Sequence, residues 1–313
     1  MSVKEIKEKR LHILTNSHCN NGCLFCSDLH KQNRAEFKNL KKYAENDLKA
    51  MRGKIDRVLF SSGEPTLNPA LPDLIKLAMK YGYKKVDLIT NGRKLADKKF
   101  CENLLKAGLN EISVSLHGSK KEVHDAITRV PGSFEETFFG LCNLSFFAKK
   151  YPFRFFVNFL LNKINYRDME NYLRLMLTFD GVEGIVFNTV LPEGRADRYF
   201  EQIVPRYFKV GKEVARVLKK FEKRLKNRRP EILVLGLPPC VLPGAERNII
   251  EYESAVRRKN AKSEAIKPTS VKWPKKIKGS ECAECRFFDS CSGVWEAYVR
   301  RRGWKEFKPV KKI

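Results

Sequence analysis

The run Leu11-His12-Ile13-Leu14, followed by Ser17-His18-Cys19-Asn20-Asn21-Gly22-Cys23-Leu24-Phe25-Cys26, sets the reading of the whole chain. A short apolar run reads as a buried strand, and the Asn- and Gly-containing segment after it reads as the loop at its C-terminal end. Three cysteines spaced C-x3-C-x2-C crowd that loop. Three thiolates can hold a [4Fe–4S] cluster by three irons and leave the fourth open. An open position suits a reactive metal centre, whereas a structural site fills every position with protein ligands. Zinc sites more often use paired C-x2-C units, which the x3 spacing fits poorly. Three core cysteines falling together by accident in so polar a loop is the other plain alternative.

Working outward, residues 10 to about 190 alternate short apolar runs with helical patterns. Strands are expected at 11–15, 57–61, 85–90, 111–116, 153–161 and 184–190, with helices near 35–52, 71–81, 95–107, 133–150 and 166–179. Six strands alternating with helices predict parallel β/α units wound by right-handed crossovers. The expected fold class is α/β, such units winding into a sheet or an open barrel. The division is expected near residue 200: 1–200 the β/α units, 201–313 a basic helix and a second cysteine region. Ligands in such folds bind at the C-terminal ends of the strands, where the three-cysteine loop lies.

The cysteine spacing resembles the signature of the radical S-adenosylmethionine (radical SAM) superfamily, and companion motifs follow in order. Ser61-Ser62-Gly63-Glu64-Pro65-Thr66 ends the second strand and is similar to the family's Gly-Gly-Glu-Pro segment, with Ser62 for the first Gly. Thr90-Asn91-Gly92 ends the third strand, and Ser113-Val114-Ser115-Leu116-His117 the fourth. Asn162 follows the fifth, and Gly194-Arg195-Ala196 the sixth. The resemblance implies the barrel, an α/β fold with an open (β/α)6 partial TIM barrel over 1–200 and a small C-terminal extension, and a [4Fe–4S] cluster on Cys19, Cys23 and Cys26. It also implies SAM contacts from Phe25, Ser62, Gly63, Glu64, Pro65, Asn91, Ser115, Asn162 and Arg195. Cleavage of SAM by the reduced cluster would give a 5′-deoxyadenosyl radical that abstracts hydrogen from a substrate. Many family members carry an acid where this chain has His117, which is left to face the substrate or to cap its loop. His124 and Asp125 read as a solvated turn, His12 and His30 have no clear partners, and Cys101 and Cys142 read as small buried hydrophobes.

Beyond residue 200 the pattern changes. Residues 205–230 read as a basic helix in which eleven Lys and Arg face only Glu213 and Glu222. Cys240, then Cys282, Cys285 and Cys291 after a basic linker at 255–279, supply four more thiols. Spacing alone does not separate a closed [4Fe–4S] site from a four-cysteine zinc site. The run Cys285-Arg286-Phe287-Phe288-Asp289-Ser290-Cys291-Ser292-Gly293-Val294-Trp295 resembles SPASM and twitch extensions of radical SAM enzymes, which implies a second, auxiliary [4Fe–4S] cluster. Trp295 stands where the larger SPASM form has a further cysteine, so the shorter single-cluster arrangement is expected.

The chain has 313 residues, 42% hydrophobic and 31% charged, with 62 basic residues against 36 acidic ones, a net charge of +26. That imbalance implies an anionic substrate or partner, an acidic peptide or RNA, against the plainer reading of a Lys-rich solvated surface. No membrane segment or signal peptide is read, so a cytoplasmic protein is expected, its nine cysteines serving metals rather than disulfides. A peptide or protein substrate is expected by resemblance, with RNA, tRNA in particular, or a small metabolite as alternatives. Only 18 residues precede Cys19, short of a separate leader-recognition domain. An external electron donor such as ferredoxin or flavodoxin is implied. A non-enzymatic Fe–S carrier has no use for an open iron beside a nucleoside pocket.

Overall fold

The structure, a computed structural model, describes residues 4–6, 10–16, 18–27, 37–225, 230–252, 256–258, 268–270 and 275–311. His30 and most of the 255–279 linker lie outside them. The strands are β1 (Lys4–Ile6), β2 (Leu11–Leu14), β3 (Arg57–Ser61), β4 (Lys85–Thr90), β5 (Glu111–Ser115), β6 (Arg154–Leu161), β7 (Val182–Thr189), β8 (Glu231–Leu235) and β9 (Ile249–Tyr252). From β2 to β9 each pairs with the next in parallel. Short segments meet the two edges: β1 pairs with β9, and β10 (Val256–Arg258) pairs with β2 and with β11 (Pro268–Ser270).

The helices α1 (Phe37–Met51), α2 (Leu71–Lys80), α3 (Lys98–Lys106), α4 (Lys121–Thr128), α5 (Ser133–Phe147) and α6 (Met169–Met176) return the chain between strands. Each buries one stripe. In α2 the stripe is Leu71, Leu74, Ile75 and Ala78, a period matching one face of a 3.6-residue helix. Asp97 caps α3, accepting from Lys99 N and Phe100 N, which fixes where that helix begins. The core lies between these helices and the outward faces of the strands, around Phe60, Leu88, Phe155, Phe159 and Phe187. The fold is thus the expected partial barrel, with two parallel strands more than the six read from the sequence.

Those two strands alter the expected division at residue 200. After the short helices α7 (Arg195–Arg198) and α8 (Phe200–Ile203), helix α9 (Tyr207–Leu225) leads into β8, which pairs with β7 over Gly184 to Asn188. The sheet therefore runs on past 200. Helix α9 buries Tyr207, Val210, Val214, Val217 and Phe221, so its basic residues form only the outer face of a barrel helix. Lys220, Arg216 and Arg174 converge there on Glu170 of α6. A second correction concerns His124 and Asp125. They lie in α4 and not in a solvated turn, because His124, Ile127 and Thr128 share one buried face. The remaining chain adds a two-stranded ribbon, β12 (Lys276–Ile277) with β13 (Val294–Trp295), and helix α10 (Glu296–Arg302). Tyr298 of α10 stacks on Tyr207 of α9 at 3.9 Å, docking this module on the barrel.

Candidate active site at the strand ends

The three-cysteine loop leaves β2 at the C-terminal end of the sheet and is gripped from several sides. From β3, Glu64 N donates to His18 O at 2.7 Å, and Asn16 Nδ2 donates to Glu64 O at 2.9 Å. Gly63 takes φ +55°, and a side chain there would lie 2.7 Å from Asn16 O and closer still to His18 O, so only glycine fits. Ser62, beside it, also has positive φ, +76°. From the end of β4, Asn91 Nδ2 donates to Asn20 Oδ1 at 2.7 Å and stands 4.0 Å from Cys19 Sγ. Arg93 donates to Asn20 O at 2.6 Å and to Asn21 Oδ1 at 3.1 Å. The C-terminal end of α4 accepts from Gly22 N and Leu24 N through Thr128 O and Ile127 O. Beyond β7, Arg195 N donates to Cys26 O at 3.0 Å and its guanidinium to Cys23 O at 3.4 Å.

These contacts divide the expected SAM residues into two groups. Glu64 is 1% exposed, and its carboxylate accepts from Thr66 N, Thr66 Oγ1, Thr90 Oγ1 and Asn91 N at 2.6–3.0 Å. It ties the end of β3 to the end of β4, and only its backbone faces the loop. Burial raises its pKa above the usual carboxylate value against the pull of those bonds. Asn162 spends its amide on its own turn, donating to Leu160 O and accepting from Ile164 N. Arg195 supports loop carbonyls. Phe25 and Ser115, by contrast, line an open chamber inside the barrel.

That chamber has a volume of about 600 Å³ and is layered by the strand period, as barrel interiors are. Its floor, at the N-terminal ends of the strands, carries Arg57 between Asp87 and Glu111, with Arg154 reaching Glu111 and Glu183 at 3.8 and 3.9 Å. Burial, then the Glu111 charge, push the Asp87 pKa up to about 7, against the Arg57 pairing. Among the described residues, Asp87 Oδ1 is buried without a hydrogen-bond partner. Above the floor come Leu59, Phe156, Val186 and Leu233, then Ser115, His117, Asn158 and Asn188 near the cysteine loop. His117 is 5% exposed, and burial and then His124 hold its pKa well below the usual histidine value. Asn158, Asn188 and Arg93 were missed in the sequence. The signal for the two asparagines was present: each interrupts an otherwise apolar strand.

The other cysteine set gathers at one place. Cys240, Cys282, Cys285 and Cys291 line one small cavity walled by Pro238, Phe287, Phe288, Trp304 and Phe307. Gly293 N and Val310 N donate to the sulfurs of Cys291 and Cys285 at 3.3 and 3.4 Å. Burial first, then the three neighbouring cysteines, push the Cys240 thiol up to about 12. Among the described residues no three His, Cys, Asp or Glu side chains converge on a single-ion site, so what the four thiols share is a cavity. Trp295 sets its indole against Gly236 at the end of β8. Cys101 is buried in the core as expected, and Cys142 is partly exposed.

The geometry can be set beside known proteins. The family model described as the radical SAM superfamily matches residues 13–176, just over half of the chain. The AdoMet-dependent heme synthase of Methanosarcina barkeri is 30% identical over 163 residues, 50% of this chain and 45% of that protein. The "Probable GTP 3′,8-cyclase" of Sulfurisphaera tokodaii is 27% identical over 243 residues, 75% of this chain and 71% of that one. The chain spans about half the length of the first curated relatives it matches. Among solved structures, anSMEcpe with bound AdoMet and Cp18Cys peptide shares the fold with a TM-score of 0.53 at 20% identity, over 72% of this chain and 63% of that one. No helix among the described residues is long and apolar enough to cross a membrane. With the three-cysteine loop seated at the strand ends of a partial barrel, the chain belongs to the radical SAM superfamily, enzymes that use a [4Fe–4S] cluster, SAM and, in general, an external reductant.

Proposed function

We propose that this enzyme abstracts hydrogen from a peptide or protein substrate held in the barrel chamber. It does so with a cluster on Cys19, Cys23 and Cys26 and a second [4Fe–4S] cluster on Cys240, Cys282, Cys285 and Cys291. The observation that carries the reading is the gathering of four distant cysteines around one apolar cavity at the mouth of the barrel. Such C-terminal cluster modules accompany many peptide-modifying members of the family. A shared cavity suits a cluster, whose ligands stand apart, better than a single zinc ion on which they converge.

When bound, the first cluster and SAM supply one-electron cleavage to the 5′-deoxyadenosyl radical; the chain's own residues must hold, orient and enclose. The backbone of residues 62–65 faces the loop for the methionyl end of SAM, with Phe25 and Ser115 on the chamber side for the nucleoside. Asn91, Asn162 and Arg195 keep the loop and strand ends in register behind them. The apolar middle layer and the paired floor of the chamber would limit the water that reaches the radical. Electrons would come from a small carrier such as ferredoxin or flavodoxin in the cytoplasm, where the thiols stay reduced.

RNA is the second reading, supported by the net charge of +26. The deciding experiment is 5′-deoxyadenosine formation by anaerobically reconstituted, reduced enzyme supplied with RNA, peptide or small-molecule fractions of a lysate. Stimulation abolished by protease is expected. Stimulation abolished by nuclease instead would replace the peptide reading with RNA modification.

A further inference from the structure

We infer that the chamber takes an uncharged, hydrogen-bonding part of the substrate. His117 presents an Nε2–H donor to a carbonyl-type oxygen, and Asn158 and Asn188 complete a neutral polar ceiling. This rests on the enzyme reading above and narrows its substrate class.

The tautomer follows from the end of a strand ladder. The pairing of β5 with β6 ends at Ser115 and Asn158. Two residues on, Leu160 N–H donates at 3.2 Å to His117 Nδ1. A ring nitrogen that accepts is unprotonated, so the proton of the neutral imidazole sits on Nε2. The ring is held in place as well. His117 N donates to His124 Nδ1 at 2.9 Å, Asn165 Nδ2 donates to His117 O at 2.9 Å, and Phe25 stands edge-on at 4.9 Å. His117 lines the chamber, and among the described residues Nε2 has no protein hydrogen-bond partner, so it is the edge left for a ligand.

The charge distribution gives the selectivity. Charged side chains lining the chamber sit at its floor, where Arg57 is shared by Asp87 and Glu111. A carboxylate, phosphate or ammonium brought up to the ceiling would lose its hydration with no charged side chain beside it among the described lining residues, which is costly. An amide, a neutral ring or a peptide unit meets a fixed donor in His117 and both donors and acceptors in Asn158 and Asn188. The net positive charge then acts outside the chamber, on whatever anionic body carries the reacting group, and not on the group itself.

A matched pair of probes isolates the effect of charge: benzamide and benzoate, similar in shape, titrated calorimetrically into unreduced, SAM-loaded holoenzyme. Benzamide is expected to bind at least about ten-fold tighter than benzoate. His117→Phe should weaken benzamide about ten-fold, while His117→Gln, which keeps an N–H donor, should retain most of the affinity. In histidine-labelled protein, 15N shifts should place the His117 proton on Nε2. Equal affinity for the two probes, binding of neither, an unchanged affinity in His117→Phe, or a proton on Nδ1 would overturn the inference. Because no reductant is present, these results are independent of whether the enzyme cleaves SAM or which lysate fraction stimulates it.

Discussion

The two cysteine sets of this protein are held in opposite ways. Cys19, Cys23 and Cys26 sit on one short loop whose backbone is clamped by hydrogen bonds from the ends of β3, β4 and β7 and from α4. The other four come from positions up to 51 residues apart (240 to 291) and meet behind Phe287, Trp304 and Phe307. The first arrangement imposes position from rigid elements, as a reacting centre requires. The second mainly excludes water, and burial keeps the Cys240 thiol protonated, a proton that a metal binding there would have to displace. One site is thus built for orientation and the other for enclosure.

Separate cysteine substitutions test that comparison most severely. Cys23→Ala should abolish reductive SAM cleavage, a fall of at least about a thousand-fold, and lower iron from about eight to about four per chain. Cys285→Ala should lose a similar amount of iron yet leave substrate-free SAM cleavage within about ten-fold of the parent. Iron analysis and 5′-deoxyadenosine assays on both variants settle it. If Cys285→Ala also silences SAM cleavage, the two sites are not independent and the contrast fails.

Glu64→Gln probes the clamping itself. The carboxylate accepts four hydrogen bonds, and an amide offers one accepting oxygen while turning an NH2 group toward donors. Each lost charged hydrogen bond is worth about 1.5–3 kcal/mol, so a destabilisation of about 2–3 kcal/mol is expected. SAM affinity should fall with it, since the Gly63 turn rests on the same segment. The second cysteine cavity should keep its iron. Denaturant melts and iron analysis read both effects, and a loss below about 0.5 kcal/mol would show that the strand-end network is dispensable.

Much of this was legible in the sequence because strand and site coincide. An apolar run followed by a motif marks both an element and its C-terminal end, so residues 57–61 and 85–90 were read with their observed bounds. What stayed hidden is what spacing does not carry. Strand-end position does not reveal that the Glu64 carboxylate is taken up by Thr66, Thr90 and Asn91, or that the Asn162 amide serves its own turn. Arg93 gave no local sign, because its partners on the cysteine loop lie more than seventy residues away and its ion-pair partner Glu136 lies in α5. His124 was misread because Lys120 and Lys121 suggested solvent, while the helical period that buries it spans only eight residues. The β8 and β9 strands were short apolar runs after a helix that looked too basic to belong to a barrel.

The carboxylates at the two ends of the chamber sharpen the contrast further. Glu64 has four donors, whereas Asp87 has Arg57 on one oxygen and, among the described residues, no hydrogen-bond partner on the other. With its pKa at about 7 in the folded chain against an ordinary 3.8, Asp87 binds its proton more tightly folded than unfolded. Its contribution to stability is therefore complete below about pH 4, declines as pH rises from there, and is gone once pH has passed about 7. Between pH 6 and pH 8 the loss amounts to about 1 kcal/mol. Urea melts across this range should show that slope in the parent and a flatter one in Asp87→Asn, whatever offset the loss of the Arg57 pairing adds. Equal slopes would remove Asp87 as the source.

The smallest effect expected is also the most specific to the reacting loop. Ser62 holds φ +76° directly before Gly63 at +55°, two consecutive left-handed residues where the chain turns against His18. A side chain in that region costs about 1–2 kcal/mol relative to glycine, and glycine's greater freedom when unfolded returns part of it. Ser62→Gly should therefore stabilise the protein by about 0.5–1 kcal/mol, a rise of about 1–3 °C in Tm for a chain of this size. If the strain serves to press the turn onto the loop, SAM should bind more weakly in the same variant although the protein is more stable. Calorimetric melting and SAM titration on one preparation read both. A variant that is less stable would mean that the hydroxyl's own contacts outweigh the backbone strain, and the turn would then be held by Ser62 rather than despite it.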